Sequence, residues 1–503
     1  MNRLLKKWVS LLIIILIFFI SNIYAAEYWP AKGWRSSTPE EQGMDSGPIV
    51  ELLRIIKAQQ KNIHSMLIIR NGYLVTEAYF APYHRDVKQT INACTNSIFS
   101  ALYGIALNEG YFTDLSQIII DFFPERSIAN LDTRKKEISL NDLLTMTSGL
   151  SWNESAPFFN KRNMLFQAET SKDRVQYILD RPMISQPGVR FNYNSGTVYL
   201  LAAILRKATG VNEAIYAGER LFNPLGITNI HWPSFSDETL TGNSLAMTPS
   251  DMAKFGYLYL NKGMWEGKQV IPAKWILEST KSYIGDHGYL WWRNPLFDGF
   301  NANGFGGQYI FIVPKYNLVA VFTGGLSGMD YALPQQWMIS KIIPAVKSEQ
   351  KLPPNPELNN LLSDIITSLQ IQKPARQAEL PEIAHKISGK TYFFELNNAG
   401  VSSIRFTFQK NNCLLWINRN NSSFEIPVGL DGCYRGTKIN SYYYTFAKGH
   451  WRNQKTFLLD LQIPVEYPEI FEISLVFEKD QIFVKIRDKI AGVHIFFQGK
   501  EKV

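Results

Sequence analysis

The hydrophobic pattern of the chain changes on either side of a proline-rich stretch, and this change restricts the possible folds. Before residue 345, segments with helical spacing alternate with short strand-like runs, whereas after residue 384 the chain shows mainly short alternating runs. Residues 347–381 between them hold five prolines, which interrupt helices and strands. The pattern therefore predicts an α+β domain at 27–345, a proline-rich linker at 346–383 and an all-β barrel or sandwich at 384–503.

Residues 1–25 have the order of a secretory signal peptide. Three basic residues precede the apolar run 11–20, and the small residues Ala25 and Ala26 follow it. This run is shorter than the ~20 apolar residues that span a bilayer as a helix. We therefore expect cleavage near Ala25, export to the periplasm or the medium, and no stable transmembrane anchor. An uncleaved N-terminal anchor is the alternative, and it also places the chain outside the cytoplasm.

Charge and metal-ligand spacing exclude several kinds of partner. The 503 residues carry a formal net charge of +8, and three positive charges with no acid lie in residues 1–25, which leaves +5 for the exported chain. So small an excess does not indicate a nucleic-acid partner. The seven histidines and three cysteines show no metal-binding spacing, so we expect no metal and no cofactor. Export would allow Cys413 and Cys433 to form a disulfide.

Local signals in the first domain predict a sheet covered by helices. Asn71-Gly72 suits a type I′ turn and predicts a hairpin over 66–80. Further segments are then predicted as helices at 97–109, 140–147, 197–209 and 252–261, and as strands at 288–292, 308–313 and 318–323. Strands at both ends of the segment, with helices between them, favour an antiparallel sheet with helices packed on it.

Five short blocks in the first domain carry a more specific signal. They are Ser37-Thr38-Pro39-Glu40-Glu41-Gln42-Gly43, Leu143-Leu144-Thr145-Met146-Thr147-Ser148-Gly149-Leu150, Phe191-Asn192-Tyr193-Asn194-Ser195-Gly196, Gly288-Tyr289-Leu290-Trp291-Trp292 and Gly304-Phe305-Gly306-Gly307-Gln308. In this order and spacing they resemble the class C β-lactamases and penicillin-binding-protein-like serine hydrolases over about residues 35–345. The resemblance implies a β-lactamase/transpeptidase-like fold.

The resemblance also implies a serine at the start of a helix and a lysine three residues later, on one face of the first turn. Counting back from the helix predicted at 97–109, Ala93 stands at the serine position and Asn96 at the lysine position. Alanine offers no nucleophile, and asparagine cannot take a proton near neutral pH. The Ser-x-x-Lys motif is therefore degenerate at both reacting positions.

Other parts of the family's site are present in the sequence. Tyr193 and Ser195 stand at the Tyr-x-Ser positions, where the family's tyrosine shares the proton transfer. Gly306, Gly307 and Gln308 correspond to the pocket strand. The resemblance implies an oxyanion hole made by the backbone amides of Ala93 and Gln308.

Two functional classes remain open. The first is a non-catalytic relative that keeps a pocket for a small molecule, an ester or a peptide, of which a cell-wall fragment is one source, and acts as a binding or regulatory module. The second is a weakly active or rerouted esterase, peptidase or β-lactamase that uses Tyr193, Ser97, Cys94 or an activated water. Loss of a triad-type nucleophile costs on the order of 10⁶ in turnover, which favours the first class.

Overall fold

The computed structural model describes residues 28–157, 160–233, 245–375, 379–439, 443–465, 470–489 and 494–501. The predicted signal peptide lies outside these residues. Within them the α-helices are Ser46–Ala58, Cys94–Asn108, Leu140–Leu144, Met164–Thr170, Arg174–Leu179, Gly196–Thr209, Glu213–Ala217, Pro249–Leu260, Ala273–Ser279, Leu333–Trp337, Ile343–Ala345, Pro356–Leu369 and Glu382–Ile387. Short 3₁₀ or π turns lie at Pro30–Lys32, Glu40–Gln42, Ile119–Phe122, Lys135–Glu137, Gly218–Phe222, Asn223–Leu225, Pro314–Tyr316, Gly328–Ala332 and Met338–Ile342.

The main sheet of the first domain has six antiparallel strands among the described residues. In spatial order they are Tyr73–Tyr79, Ile63–Arg70, Leu318–Gly324, Gln308–Val313, Gly299–Gly304 and Trp292–Asn294. Two further strand pairs are short, Gln89–Thr90 with Ala246–Met247 and Met264–Trp265 with Lys268–Gln269. The first hairpin of the chain thus lies beside the last strand of the domain, so the sheet is completed only when both ends of the domain are folded.

The predicted hairpin turn is confirmed. Asn71 and Gly72 have φ angles of 53° and 76°, the left-handed values that a type I′ turn needs. All eight residues of Ile63–Arg70 are buried, because successive side chains point to opposite faces and helices cover both. Leu67 faces the layer that contains the Cys94–Asn108 helix, whereas Ile68 faces the layer of the Ser46–Ala58 helix. The sheet is therefore the centre of a three-layer domain.

The Gly288–Trp292 block was predicted as a strand, and this prediction is wrong. Only Trp292 enters a strand, and Leu290 has a φ of 61°. The Leu290 amide donates to the Leu144 carbonyl at 3.0 Å. The Leu290 carbonyl accepts a hydrogen bond from the Ser97 hydroxyl at 2.7 Å. Its backbone groups thus join two helices instead of pairing with a neighbouring strand.

The segment predicted as a linker contains the Pro356–Leu369 helix, which packs on the first domain. Leu362 and Leu369 are buried in the same core as the Ser46–Ala58 helix. Lys57 Nζ also donates to Ser368 Oγ at 2.8 Å. The apolar positions of this helix explain the packing, because they form one face that needs a partner. The boundaries of the linker remain a prediction.

The C-terminal domain is a closed barrel, which resolves the choice between barrel and sandwich. Its strands are Thr391–Phe394, Val401–Phe408, Asn412–Arg419, Ser422–Gly429, Arg435–Lys438, Tyr444–Trp451, Thr456–Gln462, Ile470–Glu478, Gln481–Asp488 and His494–Glu501. Neighbours pair antiparallel, and one parallel pairing between Gly429 and Lys448 closes a ring of nine strands among the described residues. Arg435–Lys438 pairs at the outside of this ring.

The barrel contacts the first domain through aromatic residues. Tyr83 stacks on His64 at 3.7 Å between ring centroids and meets Phe446 of the barrel at 5.3 Å. The backbone amide of Thr90 donates to the carbonyl of Pro464 at 2.8 Å. Burial lowers the pKa of His64 to about 3, so this ring is uncharged at neutral pH. The junction thus combines apolar contact with a backbone hydrogen bond.

The three cysteines are free thiols, and each is buried. The structure therefore does not support the hypothesis of a Cys413–Cys433 disulfide. Within the described part of the chain, no helix is both long enough and apolar enough to cross a membrane.

A test of the helical layer concerns Gly104, in the middle of the Cys94–Asn108 helix. A Cβ atom at this position would lie 2.3 Å from Cγ of Trp275. We expect Gly104→Ala to lower the free energy of unfolding by about 1–3 kcal/mol, because the indole must move within a packed core. Urea denaturation measures this change.

The matched control is Gly218→Ala, because Gly218 is also helical and a Cβ there would meet no atom within 4 Å. This substitution should be neutral or stabilise the fold by up to ~1 kcal/mol. Equal effects of the two substitutions would contradict the close packing of Gly104 on Trp275.

Candidate functional site

The candidate site is built around the N-terminus of the Cys94–Asn108 helix. Ala93 is the N-cap residue, with φ of −67° and ψ of −3°, and it makes no side-chain cap hydrogen bond. The next four residues are at most 5% exposed, although two of them are Asn96 and Ser97. The amides of Cys94, Thr95 and Asn96 donate to the carbonyls of residues 91–93, so the polar side chains of this turn, not its amides, can bind a polar group.

The glycine-rich block lies directly against this helix end. Asn92 Nδ2 donates to the carbonyl of Phe305 at 2.8 Å. A Cβ atom on Gly304 would lie 2.2 Å from the Ile91 carbonyl oxygen and 3.1 Å from the Ala93 nitrogen. Because only glycine permits this approach, the structure brings the predicted position Ala93 next to the predicted pocket strand.

Gly306 and Gly307 form the turn that leads into the pocket strand, with φ angles of 85° and 90°. The Gln308 side chain points to the neighbouring strand, where its Nε2 donates to the Gly324 carbonyl at 2.7 Å. The Gln308 carbonyl accepts a hydrogen bond from Cys94 Sγ at 3.4 Å. The side chain of Gln308 therefore holds two strand ends together, and an oxyanion role for its amide stays a prediction.

Asn96 and Tyr193 meet in the structure. Asn96 Nδ2 donates to the Tyr193 hydroxyl oxygen at 3.2 Å. The Tyr193 ring also stacks on Trp292, with 6.3 Å between centroids and 20° between ring planes. Burial and the nearby Glu154 raise the pKa of Tyr193. Tyr193 is thus held as a neutral phenol with Asn96 as its hydrogen-bond partner.

Ser195 is bound to a carboxyl group that the sequence did not identify. The Ser195 amide donates to Glu154 Oε1 at 2.6 Å, and its hydroxyl donates to Oε2 at 2.8 Å. Trp152 Nε1 also donates to this carboxyl group. Glu154 therefore holds the N-terminus of the Gly196–Thr209 helix, and its burial raises its pKa. No spacing rule points to Glu154, because its partner lies 41 residues along the chain.

The side chains of Ser97 and Cys94, which could replace the missing nucleophile, make hydrogen bonds inside the domain. The Ser97 hydroxyl donates to the Leu290 carbonyl at 2.7 Å and is buried. Cys94 has no exposed surface, and burial raises the pKa of its thiol, which disfavours the thiolate. Both side chains thus help to fix the helix in its layer.

Several buried polar atoms near the helix end have no hydrogen-bond partner among the described residues. They are Thr95 Oγ1, Asn96 Oδ1 and both polar atoms of the Asn194 side chain. Each unsatisfied buried polar atom costs ~1–3 kcal/mol, so each of these atoms needs a partner such as an ordered water or a polar group of a ligand. Across the described residues, no group of three or more His, Cys, Asp or Glu side chains could hold a metal ion.

A pH test follows from Glu154. Because its pKa is raised in the folded state, protonated Glu154 favours folding, and the stability that it contributes falls as pH rises above the ordinary glutamate pKa of 4.5. In Glu154→Gln the amide oxygen can still accept from Ser195 and Trp152. We therefore expect similar stability for variant and wild type below pH 4.5 and an increasing advantage for the variant towards neutral pH.

Urea denaturation from pH 4 to 8 measures this difference. Glu154→Ala is the control, and it should be less stable at every pH, since it leaves buried donors without an acceptor. Parallel pH profiles for wild type and Glu154→Gln would contradict the raised pKa.

Comparisons with known proteins agree with this geometry. The family model described as Beta-lactamase matches residues 52–327. Lovastatin esterase of Penicillium rubens is 28% identical over 134 residues, which are 26% of this chain and 33% of the esterase. Monacolin J acid methylbutanoyltransferase of Aspergillus terreus is 31% identical over 121 residues, 23% of this chain and 29% of that protein. The chain thus matches about a third or less of the length of these curated relatives.

Among solved structures, the octameric penicillin-binding protein homologue from Pyrococcus abyssi has a TM-score of 0.50 and 15% sequence identity, with 90% of this chain and 100% of that chain covered. This likeness concerns the fold. The matched family model covers more than half of the 503 residues and includes Ala93, Tyr193 and the glycine-rich block. The chain therefore belongs to the β-lactamase family of serine hydrolases.

Proposed function

We propose that this protein is an exported, non-catalytic member of the family that binds an ester, a peptide or a similar small molecule at the family's site. The observation that carries the proposal is the contact between Asn96 and Tyr193 at 3.2 Å, beside Ala93. A neutral amide here occupies the place of the lysine, and a methyl group occupies the place of the nucleophile. The helix N-terminus, Tyr193 and the glycine-rich turn stand together, and both reacting groups are absent from the sequence.

The proton transfers of a hydrolase lack the family's lysine as a base in this arrangement. An amide does not accept a proton near neutral pH. The raised pKa of Tyr193 keeps the phenol protonated, and the side chains of Cys94 and Ser97 are used in internal hydrogen bonds. These contacts support a binding role over a rerouted hydrolase.

The kind of ligand that we propose is one that complements the polar side chains at the helix end. Asn96 Oδ1 accepts hydrogen bonds, and the Asn194 side chain can both donate and accept. An ester or peptide group presents the complementary donors and acceptors. The names of the two curated relatives, an esterase and a methylbutanoyltransferase, also point to acyl compounds. We therefore favour a neutral acyl ester or amide, and a cell-wall fragment is one source of such a group.

Wild-type protein should form no covalent adduct. We expect an unchanged intact mass after incubation with a fluorophosphonate and with a fluorescent penicillin, because no activated nucleophile faces the site. Intact-mass spectrometry measures this directly. Stoichiometric labelling would contradict the proposal, and loss of the label in Cys94→Ala or Ser97→Ala would then identify the rerouted nucleophile.

Restoring the motif should restore reactivity. In Ala93→Ser combined with Asn96→Lys, the serine lies at the helix start, and burial lowers the pKa of the lysine so that it can act as a base. We expect the double variant to be labelled by the same two reagents, at a rate followed by mass spectrometry. Ala93→Ser alone should react at least ~10²-fold more slowly than the double variant, since it lacks the base.

Asn96→Lys alone is the matched control and should stay unlabelled, because it has no nucleophile. Thermal unfolding of all three variants establishes that each is folded. A folded double variant that remains unreactive would show that the walls of the pocket no longer hold an acyl group in a reactive position.

A further inference from the structure

The C-terminal barrel has one filled half and one empty half. At the filled end, Phe406, Phe457 and Phe477 pack with Trp451, with ring centroids 5.2–6.3 Å apart. These side chains occupy the interior. Towards the other end, the residues that line the interior are mostly aliphatic, and a cavity of about 260 Å³ remains between them.

The size of the cavity exceeds what packing defects explain. Protein interiors have few voids larger than a water molecule. A ring of about eight strands is just wide enough for side chains to fill or for one small ligand, and this ring has nine. An apolar cavity of ~150 Å³ binds one benzene molecule, so 260 Å³ suits a chain of about ten carbon atoms.

The lining indicates the chemistry of the occupant. Four isoleucines of the wall are at 426, 463, 473 and 486. Ile426 and Ile473 belong to strands on opposite sides of the barrel, and Ile463 directly follows the strand Thr456–Gln462. Thr445 is 1% exposed, and its hydroxyl has no hydrogen-bond partner among the described residues. The wall thus offers a long aliphatic surface. Its polar members are Asn398, Arg419, Tyr443, Thr445 and Asp488, and the two charges among them are opposite in sign.

We propose that the barrel is a second binding site, for a single uncharged aliphatic chain of about ten carbons with a small polar end. This site lies in a different domain from the helix end at Ala93 and does not depend on the function proposed for it. The apolar wall supplies the affinity through burial of the chain. Each buried methylene should improve affinity by about fourfold.

Titration of the full-length exported protein with 1-decanol, followed by calorimetry, tests the proposal. We expect one molecule bound per chain and an affinity at least 10-fold weaker for 1-butanol. In Ile426→Phe the added ring occupies cavity space, and we expect the affinity for 1-decanol to fall at least 10-fold. Ile426→Ala enlarges the cavity, and 1-dodecanol should then gain affinity relative to 1-decanol.

Leu396→Phe is the matched control, because Leu396 is a fully exposed residue of the same domain. It adds the same ring and should leave binding unchanged. Circular dichroism shows whether Ile426→Phe folds, and Ile426→Ala decides the question if it does not. The proposal is overturned if wild type does not bind 1-decanol, or if neither substitution of Ile426 alters the affinity or the chain-length preference.

Discussion

The close approach of Gly304 to the backbone of Ile91 and Ala93 is the constraint on which the candidate site depends. A Cβ atom would lie 2.2 Å from the Ile91 carbonyl oxygen, so any other residue would push the glycine-rich turn away from the helix. The same junction carries the hydrogen bond from Asn92 to Phe305. The sheet, the turn and the helix N-terminus are therefore fixed relative to one another by backbone atoms, whatever side chain stands at position 93.

This backbone basis makes the form of the site independent of the side chain at position 93. The proposed replacement of the family's serine and lysine changes side chains and leaves these backbone contacts in place. Asn96 retains a hydrogen bond to Tyr193, and Glu154 retains two to Ser195. The side chains of Asn96 and Ser195 are thus held in place by hydrogen bonds within the domain.

The sequence predicted those parts of the fold that local chemistry determines. Asn71-Gly72 specifies its own turn, and helical spacing located the Cys94–Asn108 helix to within three residues of its start. The Gly288–Trp292 block was predicted wrongly, since its conformation depends on Leu144 and Ser97, which are distant in sequence. The sequence did not identify Glu154 for the same reason, since its partner Ser195 is distant in sequence. A carboxyl group in a polar loop has no recognisable spacing until the fold places its partner beside it.

The buried free thiols have a consequence for how the protein can be studied. Cys94 lies in the core of the first domain and Cys413 in the core of the barrel, so neither can react until its own surroundings open. The rate at which each thiol is modified by a small alkylating reagent, resolved by peptide mapping, therefore reports the opening of one domain separately from the other. Cys94 and Cys413 thus report local unfolding of the first domain and of the barrel independently.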